Sequence, residues 1–281
     1  MIEGIEFTIG FSKQEYLLGT PMVAYIQLTN KGSKSVSISD QLSPEYDIVK
    51  FEIKKENEQF QFLPYTVLDA LPHMIQLDPS KSIRGTAKLF YGARKWTFKT
   101  PSRYRIKASY KGLADEPEQV IESNEVELEI EAPTTKEEKD QVDLIMGDQQ
   151  GTFLLFEGGD HLTKGVESLA NLANKYPKES LAKYANFALG VSESTDFADF
   201  SKMKVRPANT EKAVSHLEAC KPSVHGYWAN KTYLTLADVY KKTNNKRQEK
   251  ATLDEFVRKY PSDNRHKDSI KRAEGMLEDL S

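Results

Sequence analysis

At Glu131-Ala132-Pro133 the chain changes its period. Before that tripeptide apolar and polar residues alternate: Ile5, Phe7, Ile9 and Phe11 are spaced by Glu6, Thr8 and Gly10, the repeat of a strand buried on one face. After it apolar residues recur every three or four positions, as on an amphipathic helix. Proline cannot donate to a sheet ladder, so Pro133 ends the last strand. Thr134-Thr135-Lys136-Glu137-Glu138 then offers a capping threonine with a glutamate three residues on, a helix start. The sequence therefore predicts two domains, an all-β domain over residues 1–132 and an all-α domain over 133–281, and 281 residues suffice for each to bury a core.

Further strands are predicted at 22–28, 36–38, 48–54, 60–63, 83–90, 96–98, 104–110 and 126–130, with 15–21 as a connecting turn. Short strands with regular turn signals and no intervening helix predict an antiparallel β-sandwich. Four stretches carry a family resemblance: Glu15-Tyr16-Leu17-Leu18-Gly19, Leu28-Thr29-Asn30-x-Gly32, Thr100-Pro101-x-x-Tyr104 and Ser123-Asn124. Through them the first 130 or so residues resemble the immunoglobulin-like domains of bacterial surface and envelope proteins. That resemblance implies a fold and its turns, and such domains serve as spacers, binding modules and inhibitors alike.

Helices are predicted over 136–156 with weak points at Gly147 and Gly151, then over 162–176, 179–192, 211–219, 227–242, 247–260 and 264–280. Residues 194–208, with Asp196-Phe197-Ala198-Asp199-Phe200, interrupt the spacing as an insertion. Leu169-x-x-Leu172-Ala173-x-x-Tyr176-Pro177 matches Leu253-x-x-Phe256-Val257-x-x-Tyr260-Pro261 position for position. With Tyr233, Leu236, Ala237 and Tyr240, and Pro261 closing the unit, the second copy resembles a tetratricopeptide repeat, a helical hairpin that stacks on copies of itself. Glu249 stands where that family carries a small residue at the helix crossing, and nearby Ala251 is expected to take that place. About three hairpins and a cap helix follow from this reading.

The resemblance implies a concave face built from the first helix of each hairpin, presenting Tyr184, Phe187 and Val191 from one unit and Lys231, Leu234, Asp238 and Lys241 from the next to a protein or peptide. Val191 and Thr235 occupy the places of the polar clamp by which some of these repeats hold a peptide carboxylate, so that ligand class is not expected.

Lys and Arg number 39 against 42 Asp and Glu, a balance that gives no case for nucleic acid. Cys220 is the only cysteine, so no intramolecular disulfide can form. No window reaches the roughly 18 consecutive apolar residues that a membrane helix needs. A cytoplasmic location is expected if Met1 is the native start, a periplasmic or secreted one if a leader has been removed.

Charge is unevenly distributed. Ten basic residues and no acid occur between Lys81 and Lys111, interleaved with Phe90, Tyr91, Trp96, Phe98, Tyr104 and Tyr110, and residues 112–131 carry eight acids and no base. Arg103, Arg105 and Lys107 share one strand face, as do Glu125, Glu127 and Glu129 on an antiparallel neighbour, so these should pair across strands. Arg94, Lys95, Trp96 and Lys99 remain as a patch for a glycan or anionic polymer, an envelope glycan among them. His216 and Cys220 are four apart with His225 close by, but a fourth ligand is lacking, and Cys220 reads as core. Nucleophile elbow, HExxH helix, phosphate-cradling loop and CxxC pair are all missing, which predicts no enzyme activity, metal or cofactor. The reading is a non-enzymatic adaptor or scaffold, with glycan or anionic-polymer binding by the sandwich as the alternative.

Overall fold

The computed structural model describes residues 4–67, 71–199, 203–261 and 265–280. It divides the chain into two compact units, Met1–Pro133 and Thr134–Ser281. The expected strand character of residues 1–3, Phe200 of the insertion and Asn264 at the start of the last helix lie outside the described residues.

The first unit is built of strands β1 (Ile5–Gly10), β2 (Glu15–Leu17), β3 (Val23–Asn30), β4 (Val36–Ser39), β5 (Val49–Lys55), β6 (Glu58–Gln61), β7 (Met74–Leu77), β8 (Ser82–Lys88), β9 (Tyr91–Gly92), β10 (Lys95–Trp96), β11 (Ser102–Tyr110), β12 (Ile121–Glu122) and β13 (Val126–Glu131). One sheet has the order β1-β3-β8 and a larger one β2-β13-β11-β5-β6, with β12 also on β11; β4-β7 and β9-β10 form two-stranded ribbons. Alternation decides which side chains turn inward: Phe7 and Ile9 of β1, Ile26 and Leu28 of β3, Phe51 and Ile53 of β5 and Ile106 of β11 gather in one core. Asn30 is buried at the end of β3, where its amide donates to the carbonyls of Lys34 and Leu77, each at 2.8 Å, and its Oδ1 accepts from Gly32 N–H at 2.9 Å. A buried amide so fully bonded fixes the turn instead of weakening it.

Two strand expectations need correction. Residues 15–17 are a strand rather than a turn, and β2 runs parallel to β13, so the sheet is not wholly antiparallel. The reason is local: Tyr16 is buried, and the flanking backbone borrows β13 as partner through Leu18 N–H to Glu131 O (3.0 Å) and Glu129 N–H to Gln14 O (2.8 Å). β7, β9 and β12 also lie outside the predicted spans, β9 and β12 having only two residues each.

The second unit contains α1 (Lys136–Ile145), α2 (Asp148–Phe156), α3 (Thr163–Lys175), α4 (Ala182–Glu193), α5 (Thr210–Cys220), α6 (Tyr227–Lys242), α7 (Lys246–Lys259) and α8 (Lys267–Glu278). Between α4 and α5 the insertion forms a hairpin of β14 (Phe197–Asp199) and β15 (Lys204–Arg206). α1 opens on a complete capping box, Thr135 Oγ1 accepting from Glu138 N–H at 3.0 Å while the Glu138 carboxylate accepts from Thr135 N–H. The single helix expected over 136–156 breaks at Met146-Gly147, and Gly151 stays inside α2.

The α6–α7 turn has a local cause. Asn244 adopts φ 55°, its N–H donates to Lys241 O (3.0 Å), and Asn245 N–H donates to Tyr240 O (2.8 Å), the paired bonds of a left-handed helix stop. The Asn245 side chain then caps α7 by accepting from Gln248 N–H. The repeated Tyr-Pro endings share one conformation: Tyr176 has φ −128°, ψ 48° and Tyr260 φ −128°, ψ 41°, as a following proline disfavours the helical region. At the crossing Glu249 is itself buried and Ala251 is exposed, contrary to the expected exchange.

Candidate functional site

In the first unit the β9–β10 turn and the start of β11 stand beside the β5–β6 hairpin and enclose a pocket of about 420 Å³. All four residues of the expected patch, Arg94, Lys95, Trp96 and Lys99, line it. Its cationic groups are Lys55, Arg94, Lys95 and Lys99, against the single carboxylate of Glu58. The apolar part of the lining is supplied by Phe60, Phe62, Leu63, Trp96 and Tyr104.

Each position has a structural cause. Tyr104 OH donates to Thr100 O at 2.9 Å, bending the chain before β11, and Lys55 Nζ donates to Thr100 Oγ1 at 2.9 Å from the hairpin side. Lys95 holds φ 71°, a left-handed conformation that turns β9 back into β10. Gly92 is required by close approach: a Cβ there would lie 2.3 Å from Leu63 O. Trp96 differs from expectation. Its ring is only 5% exposed and packs against Phe90 and Tyr91, with centroids 5.8 Å away in each case. A large indole gains more from that burial than from exposure, so Trp96 forms wall rather than platform. Arg94, Lys95 and Lys99 are exposed.

Four further basic residues of this segment, Arg103, Arg105, Lys107 and Lys111, face acids, whereas the Nε of Arg84 is buried without a hydrogen-bond partner. Arg103 lies opposite Glu129 and Arg105 opposite Glu127, and Arg103 Nε is 3.3 Å from both carboxylates. Lys107 pairs with Glu122, and Lys111 with Glu118 at 3.0 Å. Being exposed, such pairs contribute about 0–1 kcal/mol each.

The helical residues expected on a concave face divide by burial. Phe187 is 0% exposed, Tyr184 9% and Leu234 8%, so these three belong to the core. Trp228 decides this, meeting Tyr184 and Phe187 edge-on at 5.5 and 4.9 Å. Val191 packs against the cluster of Leu217, Leu236 and Tyr240. Lys231 pairs with Glu157 at 3.3 Å, Asp238 pairs with Arg272 at 3.3 Å, and Lys241 is exposed.

His216 and Cys220 do not converge on a metal. His216 Nδ1 lies 2.9 Å from Asn186 Oδ1, and the buried Cys220 thiol donates to Leu217 O at 3.3 Å. Burial pushes that thiol up to about 12, so it carries no thiolate at neutral pH. Among the described residues no group of three or more His, Cys, Asp or Glu could hold a metal ion, and no helix is long and apolar enough to cross a membrane.

No family model and no curated relative matches the chain. Among solved structures it has partial likeness to Spo0M, a sporulation control protein from Bacillus subtilis, at 8% identity and TM-score 0.27, covering 51% of this chain and 55% of that one. A β-glucosidase from Listeria innocua matches at 13% identity and TM-score 0.26, over 45% of this chain and 16% of its own. The CARDB domain of a Pyrococcus furiosus protein, in complex with di-metal ions, matches at 14% identity and TM-score 0.25, over 46% of this chain and 87% of the domain. The chain thus spans about half the length of the Spo0M chain it matches.

Two groups of residues were out of reach of sequence patterns. Lys55, Phe60 and Phe62 join the pocket only because the β5–β6 hairpin folds beside the β9–β10 turn, some forty residues downstream in sequence. Asp160, in the turn before α3, binds Arg206 of the insertion; that guanidinium also reaches Glu193 Oε2 (3.3 Å) and Ser192 O (2.9 Å), stitching the hairpin to α4. A second cavity of about 390 Å³ lies beside this hairpin, bordered by His161, Ser192 and Phe197.

Proposed function

We propose that this chain is a non-enzymatic binding protein whose β unit captures an anionic ligand in the pocket beside Lys95. One observation carries the reading: four cationic side chains and one carboxylate surround an apolar lining of about the size that holds one or two residues of a polymer. Acidic peptides and anionic glycans share the chemistry that would be recognised. An immunoglobulin-like fold for this unit is supported by two sheets sharing one core and by the Tyr104 hydroxyl bonded four residues upstream. A tetratricopeptide-like fold for the helical unit is supported by the α6–α7 hairpin and by the matched endings at Tyr176 and Tyr260.

The test is calorimetric titration of the full chain with short polyglutamate and with oligogalacturonate at about 20 mM and about 300 mM salt, conditions that change screening severalfold. Binding at low salt that weakens at high salt and disappears in Arg94→Glu/Lys99→Glu is the expected result. Absence of binding to both polymers at low salt, or binding indifferent to the charge reversal, would overturn it. Trp96→Ala is unsuitable because it removes core.

The adaptor reading of the helical unit retains Lys231, Asp238 and Lys241 as its solvent-reaching members. Photocrosslinking from position 241 to one discrete protein is its expected outcome; crosslinks to none would end it.

A further inference from the structure

We infer that the ligand of this pocket is an acidic peptide in extended conformation, added as a further strand to the open edge of β6. The inference rests on the reading of the pocket as an anion site.

The register of the β5–β6 hairpin fixes which backbone groups are free to bond. Lys55 and Glu58 flank a two-residue turn in which Glu56 has φ 50°, and further along Phe62 N–H donates to Phe51 O at 2.9 Å. In an antiparallel ladder alternate residues face the partner strand, so Glu58, Phe60 and Phe62 bond towards β5 while Gln59, Gln61 and Leu63 direct N–H and C=O to the outer side. Leu63 confirms the direction: its carbonyl accepts from Ala93 N–H at 2.8 Å. The sheet order ends at β6, and among the described residues no strand pairs with the outer side of Gln59 or Gln61. Neither residue is charged or proline, two of the devices that blunt an edge, although β6 is short and opens on Glu58.

The pocket runs along this same edge. Glu58, Phe60, Gln61 and Leu63 contribute to its lining, and the cations of the 94–99 turn contribute to it as well. A strand laid on Gln59 and Gln61 would send alternate side chains towards that lining, where charge selects carboxylates, while backbone bonds supply affinity independent of side chain. The bond from Ala93 to Leu63 closes the edge beyond, which fixes where an added strand must stop. Glycan recognition would leave the outward amides of Gln59 and Gln61 without a role; peptide recognition uses them.

The experiment is fluorescence anisotropy of the full chain at low salt with a labelled heptapeptide alternating glutamate and valine. Comparators are two peptides N-methylated on one or the other alternate set of amides, and a sulfated oligosaccharide of equal charge. Methylation of one set should weaken binding about tenfold or more, the other set much less, because only one set faces β6. Gln61→Pro, which removes a single outward N–H from an edge strand, should weaken the parent peptide similarly while thermal melting stays unchanged. Equal loss with both methylated sets, or no loss with either, would overturn strand addition whatever Gln61→Pro does. Oligosaccharide binding as tight as the peptide, with methylation ineffective, would overturn it while the anion site survives. No binding of peptide or oligosaccharide would overturn both.

Discussion

Lys95 and Gly92 separate charge from shape at the pocket. Lys95 occupies a left-handed conformation at φ 71°, which glycine adopts without steric cost, so Lys95→Gly relieves local strain while loosening the unfolded chain. Stability is expected to stay within about 1 kcal/mol of the parent, while affinity for anionic ligand falls, read by thermal melting and titration side by side. Gly92→Ala has the opposite profile. Its Cβ would meet the Leu63 carbonyl, a backbone atom that cannot step aside, and a loss of about 1–3 kcal/mol is expected in denaturant unfolding. In the helical unit His216 provides a pH signature. Burial lowers its imidazole below the ordinary value of 6.5, so the unfolded chain takes up the proton first. The stability it contributes is present above 6.5 and is lost as pH falls from there towards the depressed folded value. His216→Gln should flatten that part of the stability–pH curve, and an unchanged slope would contradict the assignment.

At the scale of elements, the inserted hairpin is held by one guanidinium. Arg206 joins β15 to Asp160 before α3, and to the Glu193 carboxylate and the Ser192 carbonyl at the end of α4, with the three charged side chains about a quarter exposed. Arg206→Ala leaves two carboxylates without their shared partner, and partial exposure limits the penalty to about 1–2 kcal/mol. Limited proteolysis should then cut first within residues 194–208, at a rate well above the parent's, while the far-ultraviolet circular dichroism is unchanged. The contrast with the α6–α7 turn is instructive. That turn is written into Asn244 and Asn245 themselves, whereas the hairpin depends on residues up to 46 positions away.

On the scale of the whole molecule, each unit buries its own core, and a core lesson can be read in each separately. Phe51 is fully buried in the first unit, and Phe256 is fully buried in the second, where it stacks on Tyr233 at 5.0 Å. Removing either ring leaves a cavity that costs about 3–5 kcal/mol. Calorimetry of Phe51→Ala should show the transition of the β unit lowered, and that of Phe256→Ala the transition of the helical unit, since the cores have no residue in common. A single transition shifted equally by both would show instead that the units unfold as one.

The division of the chain near Pro133, most of the strand and helix spans and the pairing of Arg103 with Glu129 were legible because they arise from period, proline and capping chemistry, properties that act over a few residues. The basic character of residues 94–99 was legible from composition alone. What they line was not, since Lys55 and Phe60 reach them only through the folding of the β5–β6 hairpin beside the β9–β10 turn. The burial of three residues expected on a concave face was out of reach for a related reason: helical spacing puts Tyr184 and Phe187 on one side of α4, but only packing shows that Trp228 of α6 meets both. Sequence by itself determined which segments alternate and which coil, because backbone geometry and hydrophobic period are local. Tertiary structure alone decided which side chains meet water, because burial depends on neighbours that the chain supplies from far away.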